Sequence, residues 1–118
     1  MKVQFSPTSD NPLYPDLTLG RVYEIIGLEA DSYRLLNDGG LPYLYPPELF
    51  TLVELDEPED WVSSRGEDGE RYAYPVELNE PGFFEDYFDS EPLAVLIFQK
   101  YLLHQQAIRY RMAELVLD

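Results

Sequence analysis

The chain has 118 residues, which is the length of one ordinary domain, and its hydrophobic fraction of 45% excludes wholesale disorder. Its 23 acids against 8 Lys and Arg give a formal charge of -15, which argues against direct binding to nucleic-acid phosphates or to anionic membranes. It has no cysteine, so disulfides, thiolate metal sites and cysteine nucleophiles are excluded.

The first 55 residues predict five short strands. Runs of β-branched and aromatic residues alternate there with clusters of Gly, Pro, Asn and Asp, a pattern typical of antiparallel sheets. A proline-rich loop at 6–18 separates the first two strands. The predicted strands are 2–5, 20–28, 32–36, 42–45 and 51–55.

The turns between these strands have clear signals. Ala30-Asp31 predicts a tight turn, and Asn37 to Gly40 predicts a hairpin, because glycine adopts the positive φ of a primed turn at no cost. Pro46-Pro47 interrupts the ladder, since proline donates no backbone hydrogen bond, and a single 3₁₀ turn is expected at 48–50. Strands this short and close predict a small antiparallel β-barrel or a rolled sheet.

Residues 56–90 predict an acidic connection. The run 56–70 is polar and acidic with Trp61-Val62 in its middle. Residues 71–77 could add an edge strand, which Pro75 would keep at the edge. The aromatic and acidic run 78–90 shows neither a helical nor a strand period.

The last segment, 91–117, predicts one long helix. From Leu93 onward it has no Gly or Pro, and Ser90 suits the N-cap. A helix of that length extends roughly 37 Å, more than the width of a small barrel. It therefore bends or packs in part on something else, and a second copy is one candidate, which would make a homodimer. The expected core face is Ala94, Ile97, Phe98, Tyr101, Ile108, Met112 and Leu115, widened by Leu96, Leu103, Ala107 and Leu117.

These elements predict an α+β fold in a single domain, 1–118. Its expected parts are a barrel at 1–55, the acidic connection at 56–90 and the helix at 91–117. The longest apolar run, 93–98, is far too short to span a bilayer, and the first residues lack the apolar stretch of a signal peptide. A soluble cytoplasmic protein is the expectation.

The run LTLGRVYEIIGLEADSYRLLNDGGLPYLYPPELFTLVEL at 17–55 resembles an SH3-like barrel. The order of its parts is similar: a leucine-containing entry, a strand, an aromatic strand, a tight turn, and a proline-containing 3₁₀ turn before the last strand. It looks still more like short bacterial and phage-encoded proteins of this pattern. Most of those have no known function, and some belong to toxin–immunity systems. The resemblance covers about one-third of the chain and implies a fold more than a function.

Catalytic signals are weak. The one histidine, His104, lies in the predicted helix, and no nucleophile motif, phosphate-binding glycine loop or metal-ligand pattern is present in the sequence. Carboxylates such as Glu85 and Asp86 beside aromatic rings could form an acid pair, but that chemistry needs a cleft larger than so small a domain offers. The expectation is a protein that is not an enzyme and has no cofactor or metal.

The charge distribution carries the main functional hypothesis. Residues 48–91 hold fifteen acids and two arginines, net -13, whereas residues 92–118 are net +1. Either this segment only keeps the protein soluble, or it binds a basic protein such as a nuclease toxin or a DNA-binding protein, as an immunity protein or inhibitor would. The expected partner-binding residues are Asp56, Glu57, Glu59, Asp60, Trp61, Glu85, Asp86, Tyr87 and Asp89.

An adaptor or assembly subunit is the alternative function. In that hypothesis an aromatic groove binds a peptide and the charge serves only solubility. The groove would be formed by Tyr14, Tyr45, Pro46 and Phe50, whose other role would be packing and turn geometry.

Overall fold

A computed structural model describes residues 1–7 and 14–117 of the chain. It has an α+β fold, with one seven-stranded antiparallel sheet, a short helix and a long C-terminal helix. The chain divides into two compact units, Met1–Val76 and Glu77–Asp118, which are taken in turn.

The first unit holds all seven strands. The five strands predicted within 1–55 are present, with bounds within two residues of the prediction, and the 3₁₀ turn lies at Pro47–Leu49. Part of the predicted loop 6–18, residues 8–13, lies outside the described residues. The strands are β1 Lys2–Phe5, β2 Val22–Glu29, β3 Ser32–Leu36, β4 Pro42–Tyr45, β5 Phe50–Glu54, β6 Trp61–Arg65 and β7 Arg71–Pro75.

Strand β2 organises the sheet, whose main path runs β4-β3-β2-β1-β5. One side of β2 pairs with β3, while the other side pairs with β1 near its start and with β7 at Leu28, opposite Ala73. Within the described residues the sheet is not closed, so the barrel alternative of the prediction is not formed. The resemblance to SH3-like proteins stays a prediction.

The β6–β7 hairpin is the main departure from the predicted elements. Trp61–Arg65 fell in the expected connection but forms β6, because it pairs in register with Arg71–Pro75. Four of its five residues are exposed, so hydrophobic alternation gives no signal for it. Strand β7 is not an edge strand either, since it has β2 on one side and β6 on the other.

Tight turns and close packing fix the first unit. Ala30 and Asp31 both have positive φ, 48° and 67°, as a type I′ hairpin turn requires. Gly27 in β2 lies against Tyr74, and a Cβ there would sit 2.1 Å from a ring carbon. The core beneath the sheet contains Val3, Phe5, Leu17, Tyr23, Ile25, Leu28, Leu35, Tyr45, Leu49 and Ala73.

The second unit contains two helices, α1 at Phe83–Phe88 and α2 at Pro92–Leu117. The sequence showed no period at α1 because six residues are less than two turns. Its rings pack on α2: the Phe84 and Tyr87 ring centroids lie 5.8 and 5.0 Å from that of Phe98.

Ser90 ends α1 and does not cap α2. Its φ is 60°, and its N–H donates to the Tyr87 carbonyl at 3.0 Å. The Glu91 N–H donates to the Asp86 carbonyl, also at 3.0 Å, which completes a Schellman motif with serine where glycine is usual. Helix α2 begins one residue after Glu91, whose carbonyl accepts from Val95. The predicted N-cap at Ser90 was therefore wrong.

The predicted core face of α2 is buried only in the first half of the helix. Ala94, Phe98 and Tyr101 are buried, whereas Ile108 and Met112 are exposed. Leu96 and Leu103 do not widen that face, since they are exposed and lie across the helix from it. None of the helices in the described part of the chain is both long and apolar enough to cross a membrane.

Candidate functional site

The acids of residues 48–91 lie almost entirely at the surface. Thirteen of the fifteen are exposed, and the other two, Glu57 and Glu70, are partly buried. Within the described residues, ion pairs engage only Glu54 and Glu57 among them. Most of these carboxylates therefore face solvent and are not neutralised by an ion pair within the described residues.

We define the acidic hairpin as residues 56–75, which comprise β6, β7 and the segment leading into them. It holds seven acids and two arginines, net -5. The turn at 66–70 closes with a bond of 2.8 Å from the Gly66 N–H to the Glu70 carbonyl. Asp31 joins this end of the sheet, because its N–H donates to the Arg71 carbonyl and its carboxylate accepts from the Arg71 N–H.

Both arginines of the acidic hairpin donate to acceptors within the hairpin itself. The Arg71 Nη2 donates to both carboxylate oxygens of Glu57, at 3.0 and 3.2 Å, and to the Ser63 hydroxyl at 3.0 Å. The Arg65 Nη1 donates to the Gly69 carbonyl at 3.0 Å. Arg71 is thereby half-buried and holds the leading segment through Glu57, whereas Arg65 stays exposed.

The five partner-binding residues predicted in the first unit take different roles. Asp56, Glu59 and Asp60 are exposed, as a contact surface requires. Glu57 is the ion-pair partner of Arg71, and Trp61 is half-buried and packs against the core. The exposed acids are thus available to a partner, while Glu57 and Trp61 anchor the segment that carries them.

The four predicted in the second unit also divide. Glu85, Asp86 and Asp89 are exposed on or just after α1. Tyr87 is half-buried, in contact with Phe84 and Phe98. Of the neighbouring rings, Phe83 and Phe84 are buried, whereas Phe88 is 45% exposed. This segment is therefore partly core and partly surface.

The residues of the alternative groove lie together, but not all at the surface. The ring centroid of Tyr45 lies 5.9 Å from that of Tyr14 and 6.4 Å from that of Phe50. Pro46, the next residue in the chain, is half-buried. Tyr45 is buried, its hydroxyl donates to Asp16, and burial raises its pKa. Because Tyr45 is buried, it does not form an exposed side of the predicted groove.

Tyr33 joins this aromatic group and was not among the predicted residues. It lies opposite Tyr45 on the neighbouring strand, and its ring centroid is 5.9 Å from that of Phe50. Burial, and then the charge of Glu48, raise the pKa of Tyr33. The alignment of the SYRLL and PYLY strands across the predicted hairpin could have indicated it.

A buried polar network stabilises β2, β3 and β7. The Arg34 guanidinium donates to the Tyr74 hydroxyl at 2.7 Å, to the Pro42 carbonyl at 2.6 Å and to Glu29 at 3.3 Å. The Tyr74 hydroxyl also donates to Glu29 at 3.2 Å, and burial raises the pKa of Tyr74. Because each of the three guanidinium nitrogens donates to a protein acceptor, we interpret this arrangement as structural.

Across residues 1–7 and 14–117, no three His, Asp or Glu side chains are grouped so as to hold a metal ion. Comparisons with protein-family models, curated proteins and solved structures give no match.

Proposed function

We propose that this chain is a non-catalytic binding protein that inhibits a basic protein, with the acidic hairpin as its main contact surface. The observation that carries the proposal is the exposure of Asp56, Glu59 and Asp60 on a segment that the Glu57–Arg71 ion pair holds in place. A basic partner would meet three exposed carboxylates in a segment, 56–60, that has no Lys or Arg. Such a field speeds encounter and excludes acidic partners.

A nuclease toxin fits this surface best. An enzyme that cleaves nucleic acid holds phosphates, so its active-site cleft is positive, and an acidic protein of this size could cover the cleft. The chain would then be an immunity protein. A DNA-binding protein presents the same chemistry and is the close variant of the proposal.

The hairpin also supplies the rigidity that an inhibitor needs. The Glu57–Arg71 pair and the packing of Trp61 fix the leading segment, and the Asp31–Arg71 bonds fix the turn end. Acids held in place lose less conformational entropy on binding than acids on a mobile tail.

The test compares two variants that each remove three negative charges. The first is Asp56→Asn/Glu59→Gln/Asp60→Asn, and the second is Glu85→Gln/Asp86→Asn/Asp89→Asn. Tagged wild type and both variants are used to capture proteins from lysate of the native host, at low and high salt, with identification by mass spectrometry.

One basic protein captured at near one-to-one stoichiometry, released by salt and lost only with the first variant, supports the proposal. Equal loss with both variants would mean that overall charge attracts the partner and would refute the acidic hairpin as the contact surface. Capture that survives high salt and both variants would refute an electrostatic inhibitor altogether.

Peptide binding by an adaptor is the second candidate, favoured by the aromatic group around Phe50. Tyr14, Tyr33 and Phe50 are each half-buried, next to Pro46 and the exposed Glu48. A salt-resistant partner that is lost in Phe50→Ala but kept in the hairpin variant would assign the function to this group.

A further inference from the structure

Helix α2 carries a second apolar stripe on the face opposite its buried one. Ala94, Phe98 and Tyr101 mark the buried face. At 100° per residue, the second stripe lies about 180° around the helix from them. Its apolar members are Leu93, Leu96, Leu103, Ala107 and Tyr110.

This stripe has the spacing of a coiled-coil seam. With Lys100 and Glu114 included, its positions are 93, 96, 100, 103, 107, 110 and 114, which alternate steps of three and four without a break. The four large apolar members are between 46% and 69% exposed. The seam extends about 31 Å along the helix and is unusually apolar for a solvent-facing helix surface.

We propose that α2 pairs with α2 of a second copy in an antiparallel two-helix coiled coil along this seam. A two-fold dimer uses the same surface on both subunits, so the seam must complement itself. A parallel pair would place Lys100 on Lys100 and Glu114 on Glu114. An antiparallel pair with Leu103 opposite the partner's Ala107 sets a large side chain against a small one, and brings Lys100 within one layer of the partner's Glu114.

The charge distribution favours this face for self-association. Residues 92–118 are net +1, whereas residues 48–91 are net -13 and would repel a second copy. Helix α2 is therefore the part of the chain along which two copies approach with the least like-charge repulsion. Salt screens the remaining repulsion, so pairing should strengthen as salt rises, opposite to binding of a basic partner.

Analytical ultracentrifugation of the full chain from about 1 to about 500 µM tests the proposal, at low and high salt. We expect a monomer–dimer equilibrium that Leu103→Ser weakens at least about tenfold, because each dimer loses two buried leucines. Met112→Ser is the matched control: Met112 is 63% exposed on the opposite face, and its loss should leave the dimer unchanged. Circular dichroism checks that each variant stays folded.

Charge reversal tests the orientation. Lys100→Glu and Glu114→Lys should each weaken the dimer, and the double variant should restore it, because the opposite charges again lie in neighbouring layers. A monomer at every concentration, a dimer that survives Leu103→Ser, or a double variant as weak as the single ones would overturn the antiparallel pair.

Discussion

Replacing Arg34 by methionine should cost about 4 kcal/mol of unfolding free energy, because it leaves two buried acceptors without their donor. Only 6% of the Arg34 side chain is exposed, and its guanidinium donates to Tyr74, Pro42 and Glu29. Methionine keeps most of the aliphatic volume, so the loss reports the polar contacts rather than a cavity.

The three acceptors of Arg34 should contribute unequally to this loss of unfolding free energy. The Pro42 carbonyl and the Tyr74 hydroxyl would be left buried without this donor, at about 1 to 3 kcal/mol each. Glu29 is 38% exposed, so water can hydrate its carboxylate and its share should be small. Glu29→Gln, which leaves the other two bonds in place, should therefore cost only about 1 kcal/mol.

Urea unfolding followed by the fluorescence of Trp61, the single tryptophan, measures these changes within the first unit. Tyr74→Phe and the double variant with Arg34→Met complete a cycle that isolates the Arg34–Tyr74 term. A loss under about 1 kcal/mol for Arg34→Met would show that water replaces the guanidinium and would refute the argument.

Two further predictions concern the end of α1 and the effect of alkali. Ser90→Gly should stabilise the second unit by about 1 kcal/mol in thermal melts, because the Ser90 backbone has the left-handed conformation that glycine adopts without strain. The control Asp89→Gly should not stabilise it, because φ of Asp89 is -81°. Burial raises the pKa of Tyr74 above its unfolded value of about 10, so its contribution is fully present below that pH and is lost as pH rises through the folded pKa. Urea midpoints measured from about pH 9 to about pH 11 should fall less steeply in Tyr74→Phe than in wild type; equal slopes would contradict this.

The elements that the sequence predicts best are those set by local chemistry. The strands up to Glu54 and the turn at Ala30-Asp31 follow from β-branched runs and turn residues. Strand β6 follows instead from pairing with a segment ten residues away, and its exposed side chains leave no local pattern. Ser90 suits an N-cap by residue type, but its backbone is fixed by the end of α1, which single-residue preference does not indicate.

The candidate surfaces, like strand β6, could be predicted only in part from local sequence. Composition predicts that residues 48–91 are acidic, but only the fold shows which acids are already bound, as Glu57 is to Arg71. Likewise the apolar arc expected for α2 is two stripes, because Leu103 lies across the helix from Phe98. In both cases the sequence shows the residue type, whereas the role of the side chain depends on contacts with residues distant in the chain.

The placement of the cations connects the two proposals. Each of the five Lys and Arg residues of the first unit has an acceptor within the chain, and only Arg34 among them is buried: Lys2, Arg21, Arg34, Arg65 and Arg71. The first unit has fifteen acids against these five cations, so its field is negative, whereas the three cations of the second unit all lie in α2, which is close to neutral. The two surfaces must then respond oppositely to salt, which weakens attraction to a basic partner and relieves repulsion between copies. A salt titration that follows the homodimer and the complex with a basic partner in one sample would distinguish the two surfaces. If salt changed both species in the same direction, one surface would serve both interactions.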